Sequence, residues 1–172
     1  MVHSTRDIEV IPVEIRWRLA AKALCSLPLA YNWAFRDRVG GAYSFLEKAI
    51  FSEAAKETYA IAQAQFAPKE TPEDIARMFG IVSGVLFGPG YEIEHDTTPS
   101  GAEILRLRAC PLLSVADDLG FELERAFDTC DAYTRSVVGH FGSLCSVTRV
   151  KAMCRGDPYC EIRIGKIGAL QK

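Results

Sequence analysis

Near residue 90 the spacing of the apolar residues changes, and this change constrains the fold more than any other feature of the chain. Upstream, apolar residues recur every three to four positions, as on one face of a helix; downstream they alternate, as on one face of a strand. The first helical segment runs from Val13 to about Arg38, with Ile15, Leu19, Ala20, Ala23 and Leu24 at helical spacing. Pro28 lacks an N–H and crowds the preceding turn, so it is expected to end or kink this helix. Gly40-Gly41 breaks the chain, and a second helix is expected from about Ala42 to Phe66. Its apolar face carries Phe45, Leu46, Ala49, Ile50, Ala54 and Ile61. Thr71-Pro72-Glu73-Asp74 reads as a third helix start, with Thr71 as N-cap, Pro72 in the first turn and acids at the positive end of the dipole. Ile75, Met78, Phe79, Val82, Val85 and Leu86 form its stripe, and Gly88-Pro89-Gly90 stops it.

The alternating half begins with Tyr91–His95 and Ala102–Ala109, joined through Pro99-Ser100-Gly101 as a hairpin. Pro111 ends the second strand. A short helix from about Leu112 to Leu119 and a longer one from Glu122 to Phe141 follow. Two further strands, Cys145 to Cys154 and Tyr159 to Ile164, are joined by Arg155-Gly156-Asp157-Pro158. The order ααα-ββ-αα-ββ predicts an α+β fold in which one antiparallel sheet of two hairpins is covered by helices. The change near residue 90 is read as a change of layer, so residues 1–172 are expected to form one domain. Residues 1–88 are its helical half, and residues 89–166 carry the cysteine motifs.

A chain of 172 residues with 49% hydrophobic content buries roughly 70% of its unfolded surface, enough for a real core. The formal charge of −2 and the lack of a basic block argue against a nucleic-acid partner. No apolar run approaches the roughly 18 residues that a membrane span needs. The segment Met1–Glu9 carries acids and no apolar core, so it does not read as a secretory signal, and His3 falls in an expected frayed tail. The chain is therefore expected to be cytoplasmic, where its six cysteines serve as thiols or ligands rather than disulfides.

Four of those cysteines lie in distinctive settings. Cys154 and Cys160 flank the Gly156-Asp157-Pro158 turn, Cys130 precedes Asp131 on the long helix, and Cys110 precedes Pro111. Cys154 and Cys160 are spaced more loosely than the usual zinc knuckle, but they can face each other across a hairpin. Cys130 then supplies a third ligand, and His95, Asp131 or Cys110 a fourth. Metal binding, covalent catalysis and plain packing of small buried thiols all remain open on this pattern. Cys110 sits where a strand meets a helix, a setting in which backbone N–H groups lower a thiol pKa and favour a nucleophile or ligand. His95, beside Asp96, is the best-placed histidine for a general base. Arg106 and Arg108 share one strand face, where both can reach a substrate carboxylate, and Tyr133 shares a helix face with Cys130.

The motifs Leu107-Arg-Ala-Cys110-Pro111, Cys130-Asp131-Ala-Tyr133 and Cys154-Arg-Gly-Asp-Pro-Tyr-Cys160-Glu161 together resemble the L-2-amino-thiazoline-4-carboxylic acid hydrolase-like family over about residues 75–166. The closing motif is also similar to that of the 4-vinyl-reductase domain, whose fold serves sensors of phenols and other aromatics. The resemblance implies a helix-covered α+β domain with an apolar pocket, often a homodimer. It also implies, as in some of those sensors, zinc held by cysteines matching Cys130, Cys154 and Cys160, although Lys151 stands where they carry a glutamate. Two functions follow as expectations. The first is a small-molecule hydrolase or related ring-opening or ring-modifying enzyme acting on a heterocyclic or carboxylated substrate. Cys110 is its thiol or metal ligand, His95 or Asp131 its base or orienter, and Arg106, Arg108 and Tyr133 its substrate contacts. The second is a non-catalytic binding domain for an aromatic or apolar ligand, with a structural cysteine or zinc site. Because the sequence carries no helix-turn-helix or ATPase segment, the enzyme is the favoured reading.

Overall fold

A computed structural model describes residues 5–66 and 70–168. His3 lies outside the described residues. Among the described residues the five α-helices are α1 (Val13–Val39), α2 (Tyr43–Phe66), α3 (Pro72–Phe87), α4 (Pro111–Asp118) and α5 (Arg125–Phe141). The four strands are β1 (Glu92–Thr97), β2 (Glu103–Ala109), β3 (Cys145–Lys151) and β4 (Cys160–Lys166), and short 3-10 turns occupy Thr5–Val10, Gly40–Ala42 and Met153–Arg155. The fold is α+β in the expected order. Every strand pairing is antiparallel and the spatial order is β1-β2-β4-β3, so the two hairpins meet along β2 and β4.

Local chemistry accounts for the boundaries. Thr71 caps α3 by accepting a hydrogen bond from Asp74 N at 3.2 Å, with Pro72 in the first turn. The closing hairpin bends through Gly156 at φ 92°, where the Asp157 carboxylate accepts a hydrogen bond from Ala152 N at 2.8 Å. Register pairs Leu105 with Ile162 and Leu107 with Cys160, so these residues share the helix-facing side of the sheet. There they meet Ile75, Met78 and Phe79 of α3 and Val137, Val138 and Phe141 of α5. The opposite face carries charges in ladders: Glu94 with Arg108, Arg106 with Glu161 and Asp96, and Arg163 with Glu161.

Three expectations about the helical half are corrected. Pro28 does not end α1, which continues to Val39; the turn that forgoes its hydrogen bond, Leu24 to Pro28, borders a cavity. The apolar residues read as the face of α1 are exposed, and the helix buries Ala21, Cys25, Leu29 and Asn32 instead. The same holds for α2, whose whole expected face is exposed while Tyr43, Glu47, Ala55 and Ala62 are buried. Both helices turn a mixed set of small, polar and apolar side chains inward and leave most of their large apolar ones outside. Only α3 buries most of the stripe assigned to it, with Val85 left exposed.

Candidate functional site

α1 lies mainly against α4 and α3, while α2 lies along α5, so the first two helices diverge. The gap between them opens into a cavity of about 300 Å³ that reaches the sheet at Leu107 and Ile162. Its inner wall is aromatic. The Tyr133 ring meets Phe87 edge-on at 5.4 Å, Phe51 at 6.4 Å and Phe79 at 6.1 Å, and Phe87 in turn meets Tyr91 at 5.4 Å. Such edge and tilted pairs hold rings in fixed orientations and add roughly 0.5–1.5 kcal/mol each to their burial.

A few polar groups interrupt this lining. Behind the wall, Ser83, fully buried on α3, sits 3.4 Å from the hydroxyl of the lining residue Tyr133 and also faces the Tyr91 phenol. Burial pushes Tyr133 up to about 12, partly offset by its hydrogen bond to Ser83, and raises Tyr91 well above the usual phenol value. Both phenols therefore stay neutral and can donate or accept a hydrogen bond. Cys110 and Cys130 line the same space. At the α2 side, Thr129 donates to the buried Glu47 carboxylate at 2.6 Å, and Asn32 reaches the same oxygen at 3.5 Å. This knot ties α1, α2 and α5 together beside the cavity. Sequence reasoning missed Tyr91 and Thr129 in the cavity wall, and missed Ser83 and Glu47, which hydrogen-bond to wall residues from behind. Glu47 carried a faint signal, since it lies on the same helix face as Phe51, four residues on.

Apart from Cys154 and Cys160, the residues singled out from sequence fall into four places. Cys110, Cys130 and Tyr133 gather around the cavity. His95 lies elsewhere on the sheet, its Nε2 2.7 Å from the buried Glu103 carboxylate, to which Thr97 also donates at 2.8 Å. Arg106 and Arg108 lie on the sheet's charged outer face, paired with Glu161 and Asp96 and with Glu94 respectively. Asp131, on α5, pairs with Arg135 at 2.6 Å. The expected lowering of the Cys110 pKa is overturned. Burial raises it to about 12, the neighbouring Cys130 adds to that, and the N–H groups of Leu113 and Leu112 offset only part.

The zinc expectation also requires correction. Cys130, Cys154 and Cys160 do approach one another, but Arg149 of β3 reaches in among them. Its side chain is 4% exposed, and one guanidinium nitrogen donates to Cys130 Sγ at 3.2 Å, Thr134 Oγ1 at 2.9 Å and the Cys130 carbonyl at 3.4 Å. A fixed cation among three sulfurs repels a metal ion. Burial raises Cys154 to about 11 and also raises Cys160, so without a metal both favour the thiol form. Among the described residues no group of three or more His, Cys, Asp or Glu side chains is arranged to hold a metal. Lys151, at the position of the expected glutamate, donates to the Tyr159 hydroxyl at 2.8 Å.

No family model matches the chain, and no curated protein does. The likenesses are to solved structures. A trafficking protein particle complex subunit 3 from Naegleria fowleri, covalently bound to palmitic acid, shares 13% identity at a TM-score of 0.57, over 88% of this chain and 95% of its own. The phenol-responsive sensory domain of the transcription activator PoxR, with phenol, shares 10% identity at a TM-score of 0.56, over 90% of this chain and 78% of its own. At these identities the likeness is one of fold, and the chain shares an α+β fold with two proteins solved with small apolar molecules.

Proposed function

We propose that this chain is a binding domain for a small, largely apolar ligand that carries one polar group. The observation that carries the reading is the cavity of about 300 Å³ between α1 and α2, walled by aromatic rings and aliphatic side chains and supplied with a few hydroxyl and thiol groups. Such a lining gives affinity through burial, and a few placed donors and acceptors give orientation. The two structural neighbours, one with palmitic acid and one with phenol, favour this reading over hydrolysis. A thiol held near 12 by burial is a poor nucleophile at neutral pH, and His95 does not line the cavity with it. No helix among the described residues is long and apolar enough to cross a membrane.

Titration calorimetry with phenol and with hexadecanoic acid tests the proposal. Ala54 is exposed at the cavity wall, so Ala54→Trp fills the entrance without disturbing the core. Binding of at least one probe is expected in the unaltered chain, with a loss of at least tenfold in Ala54→Trp. Absence of heat with either probe, or equal binding by the variant, contradicts the reading.

A further inference from the structure

Of the six free cysteines, Cys110 and Cys130 line the cavity, and they differ in what meets the sulfur. The backbone N–H groups of Leu112 and Leu113 face Cys110, and burial pushes its thiol up to about 12. Cys130 is met by a cation, since Arg149 donates to its Sγ at 3.2 Å. The same nitrogen bonds Thr134 at 2.9 Å, and Thr134 also lines the cavity, so the guanidinium reaches the cavity wall from the sheet side. The Arg149 side chain is 4% exposed, and its Nε makes no hydrogen bond among the described residues. The Asp131 oxygen that faces Nε stands 3.8 Å off, and the other oxygen of that carboxylate pairs with Arg135 at 2.6 Å.

A buried cation short of acceptors gains most from an anion in direct contact. Burial opposes the charge on Arg149, but Cys130, then Cys160 and Asp131, more than offset it and raise its pKa. Cys160 is 5% exposed and accepts a hydrogen bond from Met153 N, whereas Cys130 opens on the cavity. A sulfur beside a guanidinium is the form of cysteine that attacks carbon. Cys130, Tyr133 and Thr134 follow at intervals of three and four on one face of α5, and all three line the cavity. Tyr133 and Tyr91 are neutral phenols there, and a phenol O–H donates to an oxygen that can only accept. An aromatic lining, phenol donors and a polarised sulfur suit one class of molecule: an apolar aldehyde or ketone conjugated to a C=C bond. Its carbonyl oxygen is the acceptor and its β-carbon is the electrophile.

We propose that Cys130 captures an apolar α,β-unsaturated carbonyl compound held in the cavity. The bond from Sγ forms at the β-carbon as the C=C π bond opens, the electron pair moves to the carbonyl as an enolate, and the thiol proton ends on the α-carbon. The addition needs no leaving group and no oxidant. It rests on the binding reading above for the cavity, and on Arg149 for the choice of sulfur. Incubation of the full chain with 4-phenylbut-3-en-2-one at neutral pH tests it, with borohydride to fix the adduct and peptide mass spectrometry to locate it. The expected result is an adduct on Cys130 that forms about tenfold or more faster than one on Cys110. That comparison is internal to the unaltered chain and needs no variant. Arg149→Gln, with folding checked by circular dichroism, is expected to slow Cys130 by about tenfold or more. An unmodified Cys130, or a Cys110 that reacts as fast, overturns the proposal, and an undiminished rate in Arg149→Gln overturns the part given to the guanidinium. One zinc ion per purified chain, whose removal is needed before Cys130 reacts, also overturns it. Phenol binding without an adduct on Cys130 removes the capture and leaves the binding reading intact. An adduct on Cys130 in a chain that takes up neither phenol nor hexadecanoic acid keeps the reactive sulfur and removes the binding reading.

Discussion

Tyr133 and Cys110 show how burial sets chemistry in this chain. Both lie against an apolar cavity, and in both the charged form loses its hydration on burial, so the phenol and the thiol stay protonated at neutral pH. For Tyr133 this supplies a neutral hydroxyl beside Ser83, suited to meeting a polar ligand group. For Cys110 it removes the nucleophile. The thiolate fraction at pH 8 falls by orders of magnitude between a pKa of 9.0 and one of about 12. Iodoacetamide is therefore expected to label Cys110 at least 100-fold more slowly than free cysteine at pH 8, as read by peptide mass spectrometry, and denaturation is expected to abolish the difference. Rapid labelling of Cys110 in the folded protein would restore the activated thiol. Arg149 makes the same point from the other sign. A buried guanidinium bonded to Cys130 and Thr134 fills with side-chain charge a place where the cysteine spacing alone suggests a metal. The spacing was legible in the sequence, whereas an arginine five residues before Cys154 folding back among the sulfurs was not.

At the scale of elements, the strands and α3 were readable because one physical demand dominates each. A strand with one buried face must alternate, and α3, packed on the sheet, must carry its large apolar residues inward. α1 and α2 were misread for a related reason. Their large apolar residues lie on the exposed faces, and periodicity does not say which apolar face meets the chain's own core. Their true inward faces, Ala21, Cys25, Leu29 and Asn32 on α1 and Tyr43, Glu47, Ala55 and Ala62 on α2, mix small, polar and apolar side chains and so carry a weak periodic signal. The junction of α3 with β1 depends on one glycine. Gly88 has φ +82°, and a Cβ there would lie 2.6 Å from the Cβ of Ala21 on α1. Gly88→Ala is expected to cost about 2–4 kcal/mol from left-handed strain and overpacking together, measured by urea unfolding. A change below about 0.5 kcal/mol would show that α1 does not pack closely on this turn.

The whole molecule is a sheet with one charged outer face and one apolar inner face, covered by helices of which two diverge around a cavity. Its α+β class followed from the sequence because the switch of period near residue 90 and the turn residues around each strand act locally. The cavity did not, since its walls come from five helices and two strands far apart in the chain, and no single motif announces Ser83, Tyr91 and Phe87 as neighbours of Tyr133. The central claim is that this space holds an apolar molecule with one polar group. It is tested most directly by anomalous diffraction from crystals soaked in 4-bromophenol. The account predicts a bromine peak inside the cavity among Phe51, Phe79, Phe87 and Tyr133. An empty cavity at saturating 4-bromophenol, with any bromine confined to the outer surface, would contradict it.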